Sequence, residues 1–379
     1  VTADDHLPGP PAGDPADRAP IAGGPADRAP VTGGPADRAP IAGGPADRAP
    51  VTGDPADRVP VVGGPADRAP VTGGPADHVP VAGGPVAVLA NPTAGRGRHR
   101  ALLPRLLDGL AGAGRPVRLL AASSPGEAEA ACRAAVAEGV GALIAIGGDG
   151  TVHRAMQAVA GTAVPFGPVP AGTGNDFALD TGFPADPVAA VDVIASALRA
   201  DRTHVVDLAR MTGVDGAERW FGAVLAAGFD AIVNERANRM RWPRGPRRYD
   251  LAILVELARL RPRRYTLRLD GVPHDLDAVL VAVGNCPTYG GGMRICPAAD
   301  PTDGLLDVVV AGRVNRRTLI RVKPRIYRGT HVSHPLVTSY RARTVELAAD
   351  GIVTYADGER SLELPVTISA VPGALRLLR

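Results

Sequence analysis

The chain has 379 residues, a formal net charge of +3, and 45% hydrophobic against 21% charged residues. That apolar content excludes a chain without a core, and the length allows two or three ordinary domains. The three cysteines show no CxxC spacing, and a reducing cytoplasm is the expected location.

The N-terminal part stands apart from the rest. From Gly13 to Ala82 a decapeptide of the form GGPADRAPVT recurs seven times, with two prolines per copy and no aromatic residue. Ten residues is too short a period for helix-pair solenoids, and Gly does not recur at every third position as collagen requires. Residues 1–84 are therefore expected to be a disordered, partly extended tail that buries almost nothing. They carry 11 acids and 6 arginines, which leaves +8 on the remainder. A basic folded part suits an anionic substrate, an anionic membrane or nucleic acid, and charge alone does not choose among them. All but one of the 42 basic residues are arginine, which suits phosphate chemistry and equally suits a biased genome. The start VTADDHLPGP lacks the basic and apolar regions of a secretory signal, and no apolar run is long enough to span a bilayer.

From residue 85 the pattern alternates. A strand at Val86–Ala90 is followed by helical spacing over Ala101–Leu110 and a second strand at Val117–Ala121. Ser124, Pro125 and Glu127 then form a capping-box start to a helix. A strand at Ala142–Ile146, a helix from Thr151 and a strand at Phe166–Val169 complete the series. Alternation of this kind predicts a parallel sheet with right-handed crossovers, with ligands bound beyond the carboxyl ends of the strands. Beyond about residue 205 short β-like runs take over: Trp220–Ala226, Tyr265–Leu269, Ala278–Gly284, Leu305–Ala311, Thr344–Ala348 and Val366–Ala370. Between them Tyr249–Leu260 has helical apolar spacing and arginines on both flanks, which reads as a packed helix with solvated ends or as a segment steered to anionic lipid.

Three Gly-rich loops fall at the predicted strand ends. Asn91-Pro92-Thr93-Ala94-Gly95-Arg96-Gly97 could cradle phosphates with its amides. It lacks the third glycine of a dinucleotide fingerprint, and a chain whose single lysine is Lys323 has no Walker loop. In Gly147-Gly148-Asp149-Gly150-Thr151 paired glycines allow close approach to a phosphate, and a carboxylate there fits a triphosphate site only if a cation mediates. The competing reading is a tight turn whose Asp149 caps the helix. In Pro170–Ala178, Thr173 and Asn175 can donate to phosphate or ribose, and Asp176 could join Asp149 around the cation.

NPTAGRG, GGDGT and PAGTGNDFA, in this order, resemble the catalytic domain of the diacylglycerol kinase family, which includes the sphingosine and ceramide kinases. The likeness continues through NCPTYGGGMRICPAADPTDGLLDV (Asn285–Val308) and YADGERSLELP (Tyr355–Pro365) to the C-terminus. GGDGT alone is shared with NAD kinases and phosphofructokinases; GTGNDFA with the late DGE makes the match specific. The resemblance implies an α/β nucleotide-binding domain with a parallel, Rossmann-like sheet at 85–205 and a mostly β lipid-substrate domain at 206–379. It implies an ATP- and Mg²⁺-dependent kinase acting on a lipid at the membrane surface, most often diacylglycerol, rather than on nucleic acid, with a homodimer as the candidate assembly.

Residue by residue, the resemblance implies Asp357 as general base beside Glu359, and ATP contacts from Asn91, Pro92, Thr93, Ala94, Gly95, Arg96, Ser124, Gly147, Gly148, Asp149, Gly150, Thr151, Gly172, Thr173 and Asn175. Metal contacts fall to Asp149 and Asp176, with a second site at Asp300, Asp303 and the carbonyl of Leu305; Asp307 should point away if 305–310 is a strand. By pattern alone Asp357-Gly358 is a hairpin turn, which is compatible with that role. Two departures stand out. His153 and Arg154 occupy positions where Asn-Glu is common in the family, and Thr302 stands where an acid is frequent. His331 and His334 have no metal-spaced partner. The rival readings are a soluble GGDGT-type kinase of the NAD kinase kind, and a non-catalytic lipid or nucleotide binder.

Overall fold

The computed structural model describes residues 83–91, 100–240, 242 and 247–379. The repeat, loop residues 92–97 with Pro92, Thr93, Ala94, Gly95 and Arg96, and the flanking Arg241 and Arg244 lie outside the described residues.

The alternating first part folds as its periodicity predicts. Strands β1 (Val86–Ala90), β2 (Val117–Leu120), β3 (Ala142–Gly147) and β4 (Phe166–Pro170) pair in parallel in the order β2-β1-β3-β4. Helices α1 (Leu103–Ala111), α2 (Pro125–Ala137) and α3 (Asp149–Val159) connect them. β1 and β3 are buried along nearly their whole length, which explains why they read as continuous apolar runs rather than alternating ones. Ser124 Oγ accepts the Glu127 N–H at 3.2 Å as a helix cap should, but the return arm differs from a capping box. The Glu127 carboxylate accepts from the Ser123 N–H at 2.8 Å and the Ser123 hydroxyl at 2.5 Å. Helix α3 begins at Asp149, two residues before the expected Thr151, because Gly148 is extended and serves as the cap position.

Two short helices, α4 (Asp176–Asp180) and α5 (Pro187–Arg199), lead to β5 (His204–Gly213). The expected single run 220–226 is broken into β6 (Glu218–Phe221) and β7 (Val224–Gly228), and the break at Gly222-Ala223 becomes part of the site below. Helices α6 (Phe229–Arg239) and α7 (Arg247–Ala258) follow, then β8 (Arg263–Leu269), β9 (Val272–Ala278), β10 (Leu280–Gly284) and β11 (Leu306–Ala311). The chain closes with α8 (Arg316–Tyr327), β12 (Val337–Ala342), β13 (Thr344–Ala348), β14 (Val353–Ala356), β15 (Glu359–Glu363) and β16 (Val366–Leu377).

These later strands form an antiparallel sandwich. One face is the six-stranded sheet β12-β11-β10-β7-β14-β15. The other continues the first sheet: β16 reaches β4 in parallel at Leu377↔Phe166 and carries β13, β8, β9, β5 and β6 antiparallel, giving a mixed sheet of ten strands. Val281 and Val283 of β10 pack between the sheets with Leu267, Val345 and Ile368, whereas Leu280 and Ala282 face the opposite side with Leu319 and Ile326 of α8. Asp207 of β5 fixes the long C-terminal strand in place. Its carboxylate accepts the N–H groups of Gly373 and Gly304, each at 2.8 Å, and so ties the bulge of β16 to the 300–305 turn.

Candidate active site

The ends of β1, β3 and β4 open into one cavity of about 920 Å³. Its polar end is lined by Asn91, Gly148–Arg154, Gly172–Gly174, Asp176 and the Asp357-Gly358-Glu359 turn. The rest of its wall is mostly apolar, with Phe229 and Val233 of α6, Ile253 and Leu257 of α7, and Leu319 and Ile326 of α8, beside the polar Asp230, Asn234 and Lys323. Tyr249, Ile253 and Leu257 recur every fourth residue and so share one face of α7, while Leu254 on another face is 63% exposed. The apolar spacing of this helix therefore serves a chamber wall more than a packed core, since Ala252 is its buried residue.

The second and third loops are bound together by carboxylates on amides. Asp149 Oδ2 accepts the Asn175 N–H and Oδ1 the Asp176 N–H, both at 2.8 Å. Asn175 reaches this position with a left-handed backbone (φ 65°), and its side-chain oxygen accepts the Gly172 N–H at 2.8 Å. Asp176 in turn accepts from Gly291 N–H at 2.8 Å and Gly292 N–H at 2.7 Å, in the turn closed by the Tyr289–Met293 bridge. A ladder of carboxylate–amide bonds thus runs from the parallel sheet to the antiparallel sandwich. Where the two loops touch, a β-carbon on Gly172 would run into Gly148 Cα, backbone against backbone, and one on Gly148 would stand a tight 3.1 Å from Gly172 Cα.

Burial pushes the Asp149 carboxyl up to about 6 against the two amides that hold its charge, and the nearby charges of Asp176 and Asp357 add to the rise. This concentration of negative charge, with hard oxygen donors and one open lone pair on each Asp149 oxygen, fits a divalent cation shared with phosphates. Among the described residues no three His, Cys, Asp or Glu side chains converge as a complete ligand set, so the remaining oxygens would come from phosphate and water.

Asp357 sits at the first position of the β14–β15 hairpin with φ 50°, followed by Gly358 at φ 81°. Its own N–H donates to the Val224 carbonyl at 3.0 Å. Its carboxylate accepts the Ala223 N–H on Oδ1 at 2.8 Å, and on Oδ2 both the Gly222 N–H at 3.1 Å and His153 Nδ1 at 3.0 Å. Asn285, wholly buried, holds the 222–223 turn by donating to the Gly222 carbonyl at 2.8 Å. Glu359 pairs with Arg154 Nη2 at 2.7 Å, and Arg154 Nη1 donates to the Gly150 carbonyl at 2.6 Å.

The residues expected at the site are thus largely brought together. Gly148, Asp149, Gly150, Thr151, Gly172, Thr173, Asp176, Asp357, Glu359 and Asn91 line the cavity. Gly147 lies behind the wall, where a β-carbon would run into Thr151, and Asn175 orders the third loop by hydrogen bonds. Ser124 caps α2 and does not line the cavity. Asp300, Asp303 and Leu305 do not line it either. There Asp303 accepts the Leu305 N–H at 3.0 Å and pairs with Arg341, whose Nε also lies 3.4 Å from Asp307. Strand alternation was expected to set Asp307 apart, yet Arg341 bridges it to Asp303 because the strand starts at Leu306 and the guanidinium spans both. Sequence reasoning missed the Gly222-Ala223 amides and the His153 contact; an isolated glycine inside an apolar β-like run was the available signal for the first.

Fold and cleft define a two-domain protein with strand-end loops of an α/β layer facing an antiparallel β domain across a half-polar, half-apolar chamber. Residues 85–211 match the diacylglycerol kinase catalytic domain, and residues 223–379 match the YegS C-terminal NAD kinase beta sandwich-like domain. The chain is 44% identical over 296 residues to a protein of Mycobacterium tuberculosis (strain CDC 1551 / Oshkosh) named diacylglycerol kinase, covering 78% of this chain and 94% of that one. It is 30% identical over 263 residues to a Stenotrophomonas maltophilia (strain K279a) protein named "Probable lipid kinase YegS-like", covering 66% and 83%. A crystal structure from Bacillus anthracis str. Sterne shares the fold, with a TM-score of 0.64 at 24% identity over 78% of this chain and 94% of that one. The chain belongs to the diacylglycerol kinase catalytic-domain family.

Proposed function

We propose that this protein is an ATP-dependent lipid kinase that moves the terminal phosphoryl group of ATP onto a lipid hydroxyl, with diacylglycerol the substrate class its relatives' names favour. The observation that carries the reading is the single cavity, where phosphate-ready loops and Asp357 share a wall with an apolar chamber. A soluble GGDGT-type kinase has no use for the chamber. The N–H groups at the start of α3 and of the 172–176 loop would receive the phosphates, as helix starts and Gly-rich turns do. Asp149 and Asp176 would hold Mg²⁺, which when bound neutralises the phosphate oxygens. The Asp300–Leu305 turn is a weaker metal site, because a cation there must displace Arg341.

Asp357 would accept the proton of the lipid hydroxyl as its oxygen attacks phosphorus. Its three donors fix the carboxylate in one orientation, which favours a stationary base. The exposed Ile320 on the cavity rim, at 58%, with Arg316, Arg317, Arg321 and Lys323 along α8, supports a peripheral membrane encounter. Among the described residues no helix is long and apolar enough to cross a membrane. The test is a screen with γ-labelled ATP and mixed micelles of diacylglycerol, sphingoid base and ceramide, with NAD as the soluble control. Label in a lipid, lost in Asp357→Ala while ATP binding persists, is expected. Label in NAD and in no lipid would overturn the reading.

A further inference from the structure

We infer that His153 is a positioning residue for Asp357, donating from Nδ1 to Oδ2, and that it leaves Oδ1 as the one Asp357 oxygen able to take the substrate proton. The inference rests on the reading of Asp357 as the base.

Gln157 lies one turn beyond His153 on α3. Its amide cannot be flipped. The Trp220 N–H, which can only donate, reaches Gln157 Oε1 at 3.0 Å, and the Trp220 carbonyl, which can only accept, takes Gln157 Nε2 at 2.7 Å. The second amide hydrogen of Gln157 therefore points at His153. It is shared between the His153 carbonyl at 3.2 Å and His153 Nε2 at 3.5 Å. Asp357 Oδ2, an acceptor that also takes the Gly222 N–H, faces Nδ1 on the other side of the ring, so Nδ1 carries a proton. His153 thus donates from Nδ1 to Asp357 Oδ2 at 3.0 Å, with both side chains nearly buried, at 9% and 5% exposed.

The donor count on Asp357 then distinguishes its two oxygens. Oδ2 receives His153 and the Gly222 N–H, which uses both its lone pairs, whereas Oδ1 receives the Ala223 N–H alone. The free pair on Oδ1 accepts the proton as the lipid O–H bond breaks. The alcohol oxygen bonds to the γ-phosphorus, and the bond from phosphorus to the β–γ bridging oxygen breaks, leaving ADP with that electron pair. The other charged groups around the pair are Asp149, whose charge reaches Asp357, and the Arg154–Glu359 ion pair on the same two elements. None of these donates to Asp357.

The experiment is ¹⁵N NMR of the full chain labelled at histidine, with the His153 resonances assigned by their loss in His153→Asn. A protonated, pyrrole-type Nδ1 at pH 7.5 is expected; a pyridine-type Nδ1, with the proton on Nε2, would overturn the inference, whatever the enzyme's substrate proves to be. Kinetics on a lipid found by the screen supply the second arm. His153→Leu is expected to lower kcat roughly 10- to 100-fold with KM for ATP unchanged, and His153→Asn, which keeps a donor, to recover most of it. A His153→Leu protein with unaltered kcat would also sink the inference. Asp357→Asn with full turnover would instead overturn the base assignment and leave the tautomer result standing.

Discussion

The contact between Gly148 and Gly172 is the most sensitive test of how the site is built. It is where the second and third loops meet, and neither side has a flexible atom that can yield. The β-carbon of Gly148→Ala would stand 3.1 Å from Gly172 Cα, short of ordinary carbon–carbon contact by roughly 0.4–0.9 Å. Gly172→Ala is worse, because its methyl meets Gly148 Cα more closely still and also lies 2.9 Å from Asn175 Oδ1 and 3.1 Å from Gly148 N. The loops must part, and the Asp149 bonds to Asn175 and Asp176 stretch with them. Since misplacing reacting groups by about 1 Å can cost ~10²-fold in rate, Gly148→Ala should lose roughly 10-fold in kcat/KM for ATP and Gly172→Ala about 100-fold. Both rates are to be measured with γ-labelled ATP, beside thermal melts showing that the variants fold. Gly126→Ala in α2, where a β-carbon meets nothing within 4 Å, is the control and should leave kcat/KM unaltered. A folded Gly172→Ala protein with unchanged kcat/KM for ATP would refute the view that these loops jointly receive the nucleotide.

Two further outcomes follow from the apolar half of the site. Burial raises the Asp230 carboxyl to about 6, opposed by hydrogen bonds from the Tyr289 hydroxyl and the Ala231 N–H. A carboxyl raised in the folded state contributes stability that is complete below the unfolded value near 4 and is lost as pH climbs through about 6. Asp230→Asn removes the charge while Oδ1 still accepts the Ala231 N–H and Nδ2 can donate to the Tyr289 oxygen, so its gain in stability should be roughly 1–2 kcal/mol greater at pH 7.5 than at pH 4.5; melting curves that show equal gain, or loss, at both would contradict this. Ile253→Glu puts a carboxylate on the chamber wall, and KM for diacylglycerol in micelles should rise by roughly 10-fold or more while KM for ATP holds, because a charge in an apolar pocket opposes acyl chains. Equal shifts in both constants would show that the chamber is not the lipid's.

The amino-acid sequence alone determined the four parallel strands and their helices, though not the order of the strands, because buried strands and amphipathic helices each leave a local period. It also placed the Gly-rich loops at strand ends, and marked the Asp357-Gly358 hairpin through residues that tolerate positive φ. The tertiary structure decided what those loops face. That β16 returns to β4 and joins both parts into one sheet is a pairing across some 200 residues, invisible to any local period. The three donors on Asp357 come from α3 and from the break between β6 and β7, more than 130 residues away. The chamber is assembled from faces of α6, α7 and α8 whose apolar residues, read singly, look like core. Hydrogen bonds and cavities depend on distances in space, whereas periodicity and turn chemistry depend on neighbours along the chain, and the division of this protein into legible and hidden parts follows that line.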